Sequence, residues 1–262
     1  MNETAVIEHI VNWITSYVKS TNGKIKSLVV GVSGGIDSAL VSTLCAMTGL
    51  KTVVLTIPIK KSNMTLANKH CHFLTKKFDN VSHHNIDLTT VYDKFEESCM
   101  QANFSEILGF ANSKSRLRMI MLYQSAASES GIVVGTGNKV EDFGVGFYTK
   151  YGDGGVDISP IADLLKSEVR MLAKKLNILD EIIEAKPTDG LWDDNRNDED
   201  QLGMTYDEIE DAMLRTESKS FKDYQKIRNQ NIHKMEPIPI LSLIHISEPT
   251  RPERIWYAVL CL

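Results

Sequence analysis

Apolar side chains recur near the N-terminus with the spacing of a helix. They belong to Val6, Ile7, Ile10, Val11, Ile14 and Val18. This spacing places them on one face, so the segment is predicted to form an amphipathic helix. Gly23 is predicted to end it, because glycine is common just past a helix C-terminus.

Short segments that are predicted to be strands follow, and they alternate with longer segments of helical spacing. Strands are predicted over 27–33, 51–58, 81–87 and 131–138. Helices are predicted from near Ile36 and over 63–78, 88–102, 114–130, 163–176 and 205–217. Strands that alternate with helices indicate an α/β fold with a doubly wound, Rossmann-like parallel sheet and right-handed crossovers.

Two stretches lack a regular pattern. Residues 137–160 are rich in glycine, and residues 186–203 are crowded with acidic residues, asparagine and glycine. Loops of this length inside a compact domain are either functional or disordered.

The chain changes character after about Leu241. The tail contains Pro249 and Pro252, shows no helical or strand period, and ends in the apolar run IWYAVLCL. We expect a single domain over 1–241 and a non-native tail over 242–262, similar to a translated adapter or assembly artefact. The alternative is a genuine C-terminal arm that packs on a partner subunit.

Composition excludes some classes of function. The formal net charge of -5 argues against a broad nucleic-acid-binding face, although a local basic pocket for phosphates remains compatible with it. No stretch is predicted to span a membrane, and no signal peptide is predicted. The four cysteines form no CxxC pair, which favours a reducing, cytoplasmic setting.

A glycine-rich loop joins the first predicted strand to the next helix. Its sequence GVSGGIDSA covers residues 31–39 and comprises Gly31, Val32, Ser33, Gly34, Gly35, Ile36, Asp37, Ser38 and Ala39. Glycines let phosphate oxygens approach the backbone, and the N–H groups at the helix start favour an anion. A carboxylate at Asp37 beside phosphates is favourable when Mg²⁺ bridges them. No GK[ST] follows, so this is not a Walker A loop.

The SGGxDS pattern of this loop resembles the pyrophosphate loop of ATP pyrophosphatases with the adenine nucleotide α-hydrolase fold. The stretch 135–169, GTGNKVEDFGVGFYTKYGDGGVDISPIADLLKSEV, resembles the signature of ammonia-dependent NAD synthetases. The resemblance covers roughly residues 5–240. It implies that residues 31–38, Thr136, Lys166 and Thr188 bind ATP, and that Asp37 and Glu141 bind Mg²⁺.

The same resemblance implies a second group of residues for deamido-NAD. These are Arg116, Lys150, Asp157, His233 and Lys234. Arg118 lies two residues beyond Arg116 and points to another helix face, so the sequence alone leaves the roles of the two arginines open. The acidic run at 193–200 is expected to be a solvated segment that orders when substrate binds.

The implied reaction is amidation of deamido-NAD with ammonia. ATP activates the carboxylate as an acyl-adenylate, and Asp37 and Lys166 are the expected catalytic residues. The resemblance also implies a homodimer with the dinucleotide site at its interface. The alternatives are another SGGxDS ATP pyrophosphatase, such as a GMP synthetase-like enzyme, and a non-catalytic nucleotide-binding module.

Overall fold

A four-stranded parallel sheet forms the centre of the molecule. The computed structural model describes residues 1–60, 62–188, 190–192 and 197–242. The strands are β1 (Ser27–Gly31), β2 (Lys51–Thr56), β3 (Val81–Asn85) and β4 (Gly131–Val133). Their order in the sheet is β3-β2-β1-β4, and all neighbouring pairs are parallel. The predicted doubly wound parallel sheet is therefore confirmed.

Helices connect and cover the strands. They are α1 (Glu3–Ser20), α2 (Ile36–Met47), α3 (Thr65–Lys77), α4 (Thr89–Gln101), α5 (Ile107–Ser128), α6 (Lys166–Lys175), α7 (Asp180–Ile183), α8 (Asp198–Leu202), α9 (Tyr206–Leu214) and α10 (Phe221–Met235). A π-helix covers Lys139–Val145, between β4 and α6. Across the described ranges, no helix has both the length and the apolar content needed to cross a membrane.

Alternate residues of β1 face opposite sides of the sheet. Leu28 and Val30 pack into a cluster with side chains of α1, α2 and α6. Val29 packs into a second cluster with side chains of β2, α4 and α5. All three side chains are fully buried, as expected for a parallel sheet with helices on both faces.

The N-terminal helix forms as its pattern predicts. Ile7, Ile10, Ile14 and Val18 are its buried residues, and they join the cluster beneath the sheet. Asn2 caps the helix by accepting a hydrogen bond from the Ala5 backbone N–H at 3.2 Å. The apolar stripe and the cap together set where this helix begins and which face it buries.

Several helical segments differ from the predicted pattern, and the short helices α7 and α8 are among those that were not predicted. Helix α5 begins at Ile107 rather than at the predicted residue 114. Ile107 and Leu108 are exposed, so the start of this helix lies outside the buried stripe on which the prediction depended. Helix α10 was not predicted, and Tyr224 is its one buried residue, so it has no apolar stripe to detect. The π-helix lies in the glycine-rich stretch, between the capping residue Asn138 and the left-handed Gly146.

The predicted tail lies mostly outside the described residues, which end at Ser242. Ile240 and Leu241 are 71 % and 86 % exposed, so the chain has already left the core at this point. We expect truncation after Leu241 to leave turnover and dimer content unchanged and the melting temperature within about 2 °C. Calorimetry and sedimentation of both forms measure this. A larger fall in melting temperature, or loss of a dimer, would show that the tail packs on something.

Candidate active site

The candidate site lies at the carboxyl ends of β1 and β4, which are neighbours in the sheet. The connection after β1 turns toward β2 and the strand order reverses between β1 and β4. In open α/β sheets a crevice forms outside the strand ends at such a reversal. The SGGxDS loop follows β1, and the GTGN segment follows β4, so both sequence motifs meet at this crevice.

Hydrogen bonds of the Ser38 side chain help to fix the conformation of the loop after β1. Ser38 Oγ accepts a hydrogen bond from the Ser33 N–H at 3.2 Å and donates to the Gly35 carbonyl at 2.9 Å. Gly34 adopts φ +94°, and a Cβ there would lie 3.0 Å from the Ala67 backbone nitrogen. Only glycine fits this position, so the tight turn that exposes the start of α2 depends on it.

The N-terminus of α2 presents backbone donors to the crevice. Gly35 is its N-cap residue, and no side chain caps the helix. The first-turn N–H groups of a helix lack partners inside the helix and carry the positive end of its dipole. An anion such as pyrophosphate is therefore favoured here.

Three residues far apart in the sequence meet beside this loop. Lys166 Nζ donates to Asp37 Oδ2 at 2.5 Å and to Glu141 Oε1 at 2.8 Å. The lysine side chain is 3 % exposed, and each carboxylate side chain is 16 % exposed. Asp37 is the second residue of α2, Glu141 lies in the π-helix, and Lys166 is the first residue of α6.

Two further residues, to which the sequence analysis gave no role, hold the carboxylates. The fully buried Asn138 donates through Nδ2 to Asp37 Oδ1 at 3.1 Å. Its Oδ1 accepts from the N–H groups of Val140 and Glu141, which caps the π-helix. The buried Tyr206 donates its hydroxyl to Glu141 Oε1 at 2.6 Å. An asparagine at a helix start was the available signal for the first, whereas the contact of Tyr206 has no local signal.

Burial and the neighbouring opposite charges shift the pKa values of Asp37, Glu141 and Lys166 in opposite directions. Burial raises the pKa of the Asp37 carboxyl, and the nearby Lys166 ammonium offsets only part of that rise. Burial acts likewise on Glu141, but Lys166 and the Tyr206 hydroxyl outweigh it and lower the pKa of this carboxyl. Burial disfavours the charged form of Lys166, but the two carboxylates outweigh it and raise its pKa, so the ammonium stays charged.

The donor set at Asp37 and Glu141 fits a hard divalent cation. Carboxylate oxygens are preferred ligands of Mg²⁺, which is commonly bound by one or two carboxylates together with substrate phosphates. Within residues 1–60, 62–188, 190–192 and 197–242, no group of three or more His, Cys, Asp or Glu side chains is arranged to hold a metal ion. The two carboxylates beside the glycine-rich loop can supply two of the oxygen ligands of such a cation.

A second group of predicted residues comes together beyond the π-helix. Arg116 Nε on α5 donates to the Lys150 carbonyl at 3.2 Å, and Lys150 Nζ donates to the His233 carbonyl at 3.3 Å. Lys234 Nζ donates to the Tyr148 carbonyl at 3.0 Å and lies over the Tyr148 ring. Helix α10 thus brings His233 and Lys234 next to the FYTKYGDGG segment.

An open cavity of about 810 Å³ adjoins this second group. Arg116, Tyr123, Gln124 and Tyr151 are among the residues that line it. The Tyr123 hydroxyl donates to Asp157 Oδ1 at 3.0 Å, so the predicted Asp157 lies behind one wall of the cavity. The cavity combines apolar side chains, aromatic rings and a guanidinium, which suits a ring system that carries a negative charge.

The structure places Arg116 and Arg118, whose roles the sequence left open, in different surroundings. Arg118 Nε donates to the Ile57 carbonyl at 3.0 Å, and its Nη2 lies 3.3 Å from Ser62 Oγ. Arg118 therefore contacts the connection after β2, whereas Arg116 lines the cavity. This division follows from the two helix faces on which the arginines lie.

The remaining predicted ATP residues lie on separate loops. Thr136 follows β4 and precedes Asn138 at the crevice, in the segment that the sequence predicts for it. Thr188 lies in the segment before α8, where its Oγ1 accepts from the Gly190 N–H at 3.3 Å. Lys114 of α5 donates to the Leu191 carbonyl at 2.9 Å and ties this segment to the body of the protein. Half of the predicted acidic run, at 193–196, lies outside the described residues. The other half includes the start of α8, where Asp198 is buried rather than solvated as expected.

Comparison with known proteins shows the family of this chain. A family model described as NAD synthase matches residues 6–251. The chain belongs to the NAD synthase family. The NH(3)-dependent NAD(+) synthetase of Finegoldia magna is 35 % identical over 241 residues, which cover 89 % of this chain and 94 % of that protein.

Solved structures of the NAD synthase family share the fold. An NMN synthetase from Francisella tularensis matches with a TM-score of 0.83 and 31 % identity, over 92 % of this chain and 99 % of that one. An NH3-dependent NAD synthetase from Campylobacter jejuni matches with a TM-score of 0.73 and 28 % identity, over 92 % and 100 % of the two chains. The fold expected from the sequence is the fold of these relatives.

Proposed function

We propose that this chain is an ammonia-dependent NAD synthetase, a carbon–nitrogen ligase that converts deamido-NAD, ATP and ammonia to NAD, AMP and pyrophosphate. The observation that carries the proposal is the contact of Lys166 with both Asp37 and Glu141 beside the SGGxDS loop. This cluster can receive a departing pyrophosphate. The similarity to NH3-dependent NAD synthetases supports the choice of substrate.

The chemistry requires activation of a carboxylate, because its oxygen is a poor leaving group. One oxygen of the nicotinate carboxylate attacks the α-phosphorus of ATP, the bond to the β-phosphate oxygen breaks, and pyrophosphate leaves. Ammonia then attacks the acyl carbon, loses a proton, and AMP leaves with the carboxylate oxygen. Such steps depend mainly on positioning and on stabilising developing charge.

The residues of the loop and cluster have defined parts in this reaction. The first-turn N–H groups of α2, with Ser33 and Gly34 before them, would hold the pyrophosphate. Lys166 would contact the phosphates and neutralise charge as pyrophosphate departs. Asp37 and Glu141 would hold Mg²⁺, which when bound supplies further positive charge to the phosphate oxygens. Thr136 and Thr188 complete the proposed ATP contacts.

The second group supplies the site for the pyridine substrate. Arg116 is a cation that lines the open cavity, and Lys150 and Lys234 are cations of the residue group that the cavity adjoins. Together they suit the phosphates and the carboxylate of deamido-NAD. The His233 carbonyl accepts a hydrogen bond from Lys150 Nζ. Asp157 accepts a hydrogen bond from the hydroxyl of Tyr123, which lines the cavity. We assign all five residues to deamido-NAD binding.

The deciding experiment is an assay of pyrophosphate release. Release should require an ammonium salt together with deamido-NAD. Nicotinate mononucleotide is tested in parallel because of the similarity to an NMN synthetase, and xanthosine monophosphate because of the GMP synthetase alternative. Preference for either mononucleotide would replace the proposed substrate, and absence of release with every substrate would favour a non-catalytic binding module.

A homodimer in the cytoplasm completes the proposal. Val91, Phe104, Ile107, Leu108 and Ile120 of α4, α5 and their connection are each more than half exposed, which supports an interface on this surface. The described thiols of Cys45, Cys71 and Cys99 are free, which fits a reducing compartment. Sedimentation of the protein, with and without deamido-NAD, tests the assembly.

Replacing Lys150 with alanine should raise the KM for deamido-NAD on the order of tenfold or more and leave ATP binding little changed. The ammonium lies on the α10 side of the site, away from the Lys166 cluster. Calorimetric titration with each substrate measures the two affinities. Lys94→Ala, at an exposed i,i+3 ion pair on α4, is the control. Loss of ATP affinity with dinucleotide affinity retained would reverse the assignment.

A further inference from the structure

We propose that Lys166 is an exchangeable counter-ion of the Asp37–Glu141 pair, so that this enzyme binds its divalent metal together with the nucleotide and only weakly before it. The proposal rests on the assignment of these carboxylates to Mg²⁺ under the proposed function. It adds that the metal binds together with the nucleotide, which that assignment does not state.

The two carboxylates offer Lys166 the oxygens that a metal needs. Lys166 Nζ contacts Asp37 Oδ2 at 2.5 Å and Glu141 Oε1 at 2.8 Å, and its side chain is almost entirely buried. Two cations in contact with the same oxygens would repel each other strongly at this degree of burial. A metal that takes these two oxygens must therefore displace the lysine ammonium.

The other contacts of the carboxylates are not cations and can stay. Asn138 Nδ2 holds Asp37 Oδ1 at 3.1 Å, and the Tyr206 hydroxyl holds Glu141 Oε1 at 2.6 Å. Asn138 is itself fixed by capping the π-helix, and Tyr206 by its burial at the start of α9. Lys166, in contrast, has a flexible four-carbon stem, so it can move while the carboxylates keep their positions.

A bound nucleotide would supply additional ligands for the metal and a new anionic partner for Lys166. Magnesium prefers six oxygen ligands, and the described residues provide two carboxylates beside the loop but no larger ligand group. The phosphates of ATP would add ligands for the metal. They would also give the displaced Lys166 ammonium a new anionic partner near the N-terminus of α2, whose second residue is Asp37.

Linkage makes this coupling reciprocal. If the phosphates draw Lys166 away from the carboxylates, nucleotide must tighten metal binding, and metal must tighten nucleotide binding by the same factor. Free metal would then meet a carboxylate pair whose charge is already partly neutralised. In the absence of nucleotide, the contact of Lys166 with both carboxylates therefore weakens metal binding.

The test uses Mn²⁺ as the probe, with α,β-methylene-ATP as the uncleaved nucleotide. Calorimetry is done on the full chain and on Lys166→Met. The unaltered protein should bind Mn²⁺ weakly alone and on the order of tenfold more tightly with the analogue. Lys166→Met should bind Mn²⁺ alone on the order of tenfold more tightly than the unaltered protein, and gain less from the analogue. Lys166→Gln is a second variant in case the first folds poorly.

Lys51→Met is the matched control. Lys51 also contacts a carboxylate at 2.5 Å, that of Glu129, but it lies at the amino end of β2, away from the loop. It should leave Mn²⁺ affinity unchanged. Thermal melts give an independent readout, because Mn²⁺ alone should stabilise Lys166→Met more than it stabilises the unaltered protein at the same concentration.

Two results would overturn the inference, and they differ in what else they overturn. If the unaltered protein binds Mn²⁺ with the analogue but Lys166→Met does not tighten metal binding on its own, the exchange fails and the metal assignment stands. If Mn²⁺ does not bind even with the analogue, the assignment of Asp37 and Glu141 to a metal fails as well.

Discussion

Replacing Asp37 with alanine should abolish NAD formation while leaving the fold intact. We expect the rate to fall by at least about a thousandfold, which corresponds to roughly 4 kcal/mol in the barrier. The variant removes one proposed metal ligand at the start of α2 and one of the two carboxylates that neutralise Lys166. Glu141 still neutralises the buried ammonium, so the melting temperature should change little.

The measurement pairs steady-state pyrophosphate release with a thermal melt. Asp163→Ala is the matched control, because the Asp163 side chain is 96 % exposed and its contact with Lys139 lies on the surface. An Asp37→Ala protein that retains activity within about threefold of the unaltered chain would remove Asp37 from the chemistry.

Tyr206→Phe is the second change for which we expect a large effect. The variant keeps the buried ring and removes the hydroxyl that donates to Glu141 at 2.6 Å. A hydrogen bond to a charged group contributes about 1.5–3 kcal/mol, so we expect a loss of roughly ten- to a hundredfold in kcat/KM. The loss should appear as a higher Mg²⁺ requirement, because Tyr206 acts through the carboxylate rather than on a substrate.

Kinetics at varied Mg²⁺ and at varied deamido-NAD separate this positioning role from a general weakening of the fold. Tyr224→Phe is the control, since Tyr224 is a buried tyrosine in the same core cluster and makes no contact with the carboxylates. If Tyr206→Phe changed only the melting temperature and left the Mg²⁺ requirement unchanged, the Tyr206 hydroxyl would have no role in positioning Glu141.

The sequence predicted the parts of the site whose signals are local. Strands were predicted at all four positions where the sheet has them, and the alternation with helices predicted the sheet. The pairing of a strand, SGGxDS and a helix start predicted the phosphate loop at Asp37. Resemblance to a family signature then brought Glu141 and Lys166 into the same hypothesis, and the structure places all three in contact.

Other features depend on contacts between segments that are distant in sequence. Helix α10 is held through its contacts with the π-helix and α9, including Asn231 Nδ2 to the Val145 carbonyl at 3.0 Å. Few of its residues are buried, so no periodic apolar pattern could predict it. The separate roles of Arg116 and Arg118 likewise depend on which loop each helix face meets.

The sequence by itself determined the doubly wound sheet and the glycine-rich turn after β1, because hydrophobic periodicity and turn chemistry act over neighbouring residues. The other residues of the candidate site were predicted from the resemblance to a family signature. Only the tertiary structure decided that Asn138 and Tyr206 hold the carboxylates and that Lys166 lies between them. Burial is the reason. A carboxylate taken out of water needs partners at hydrogen-bond distance, and the packed fold alone determines which side chains supply them.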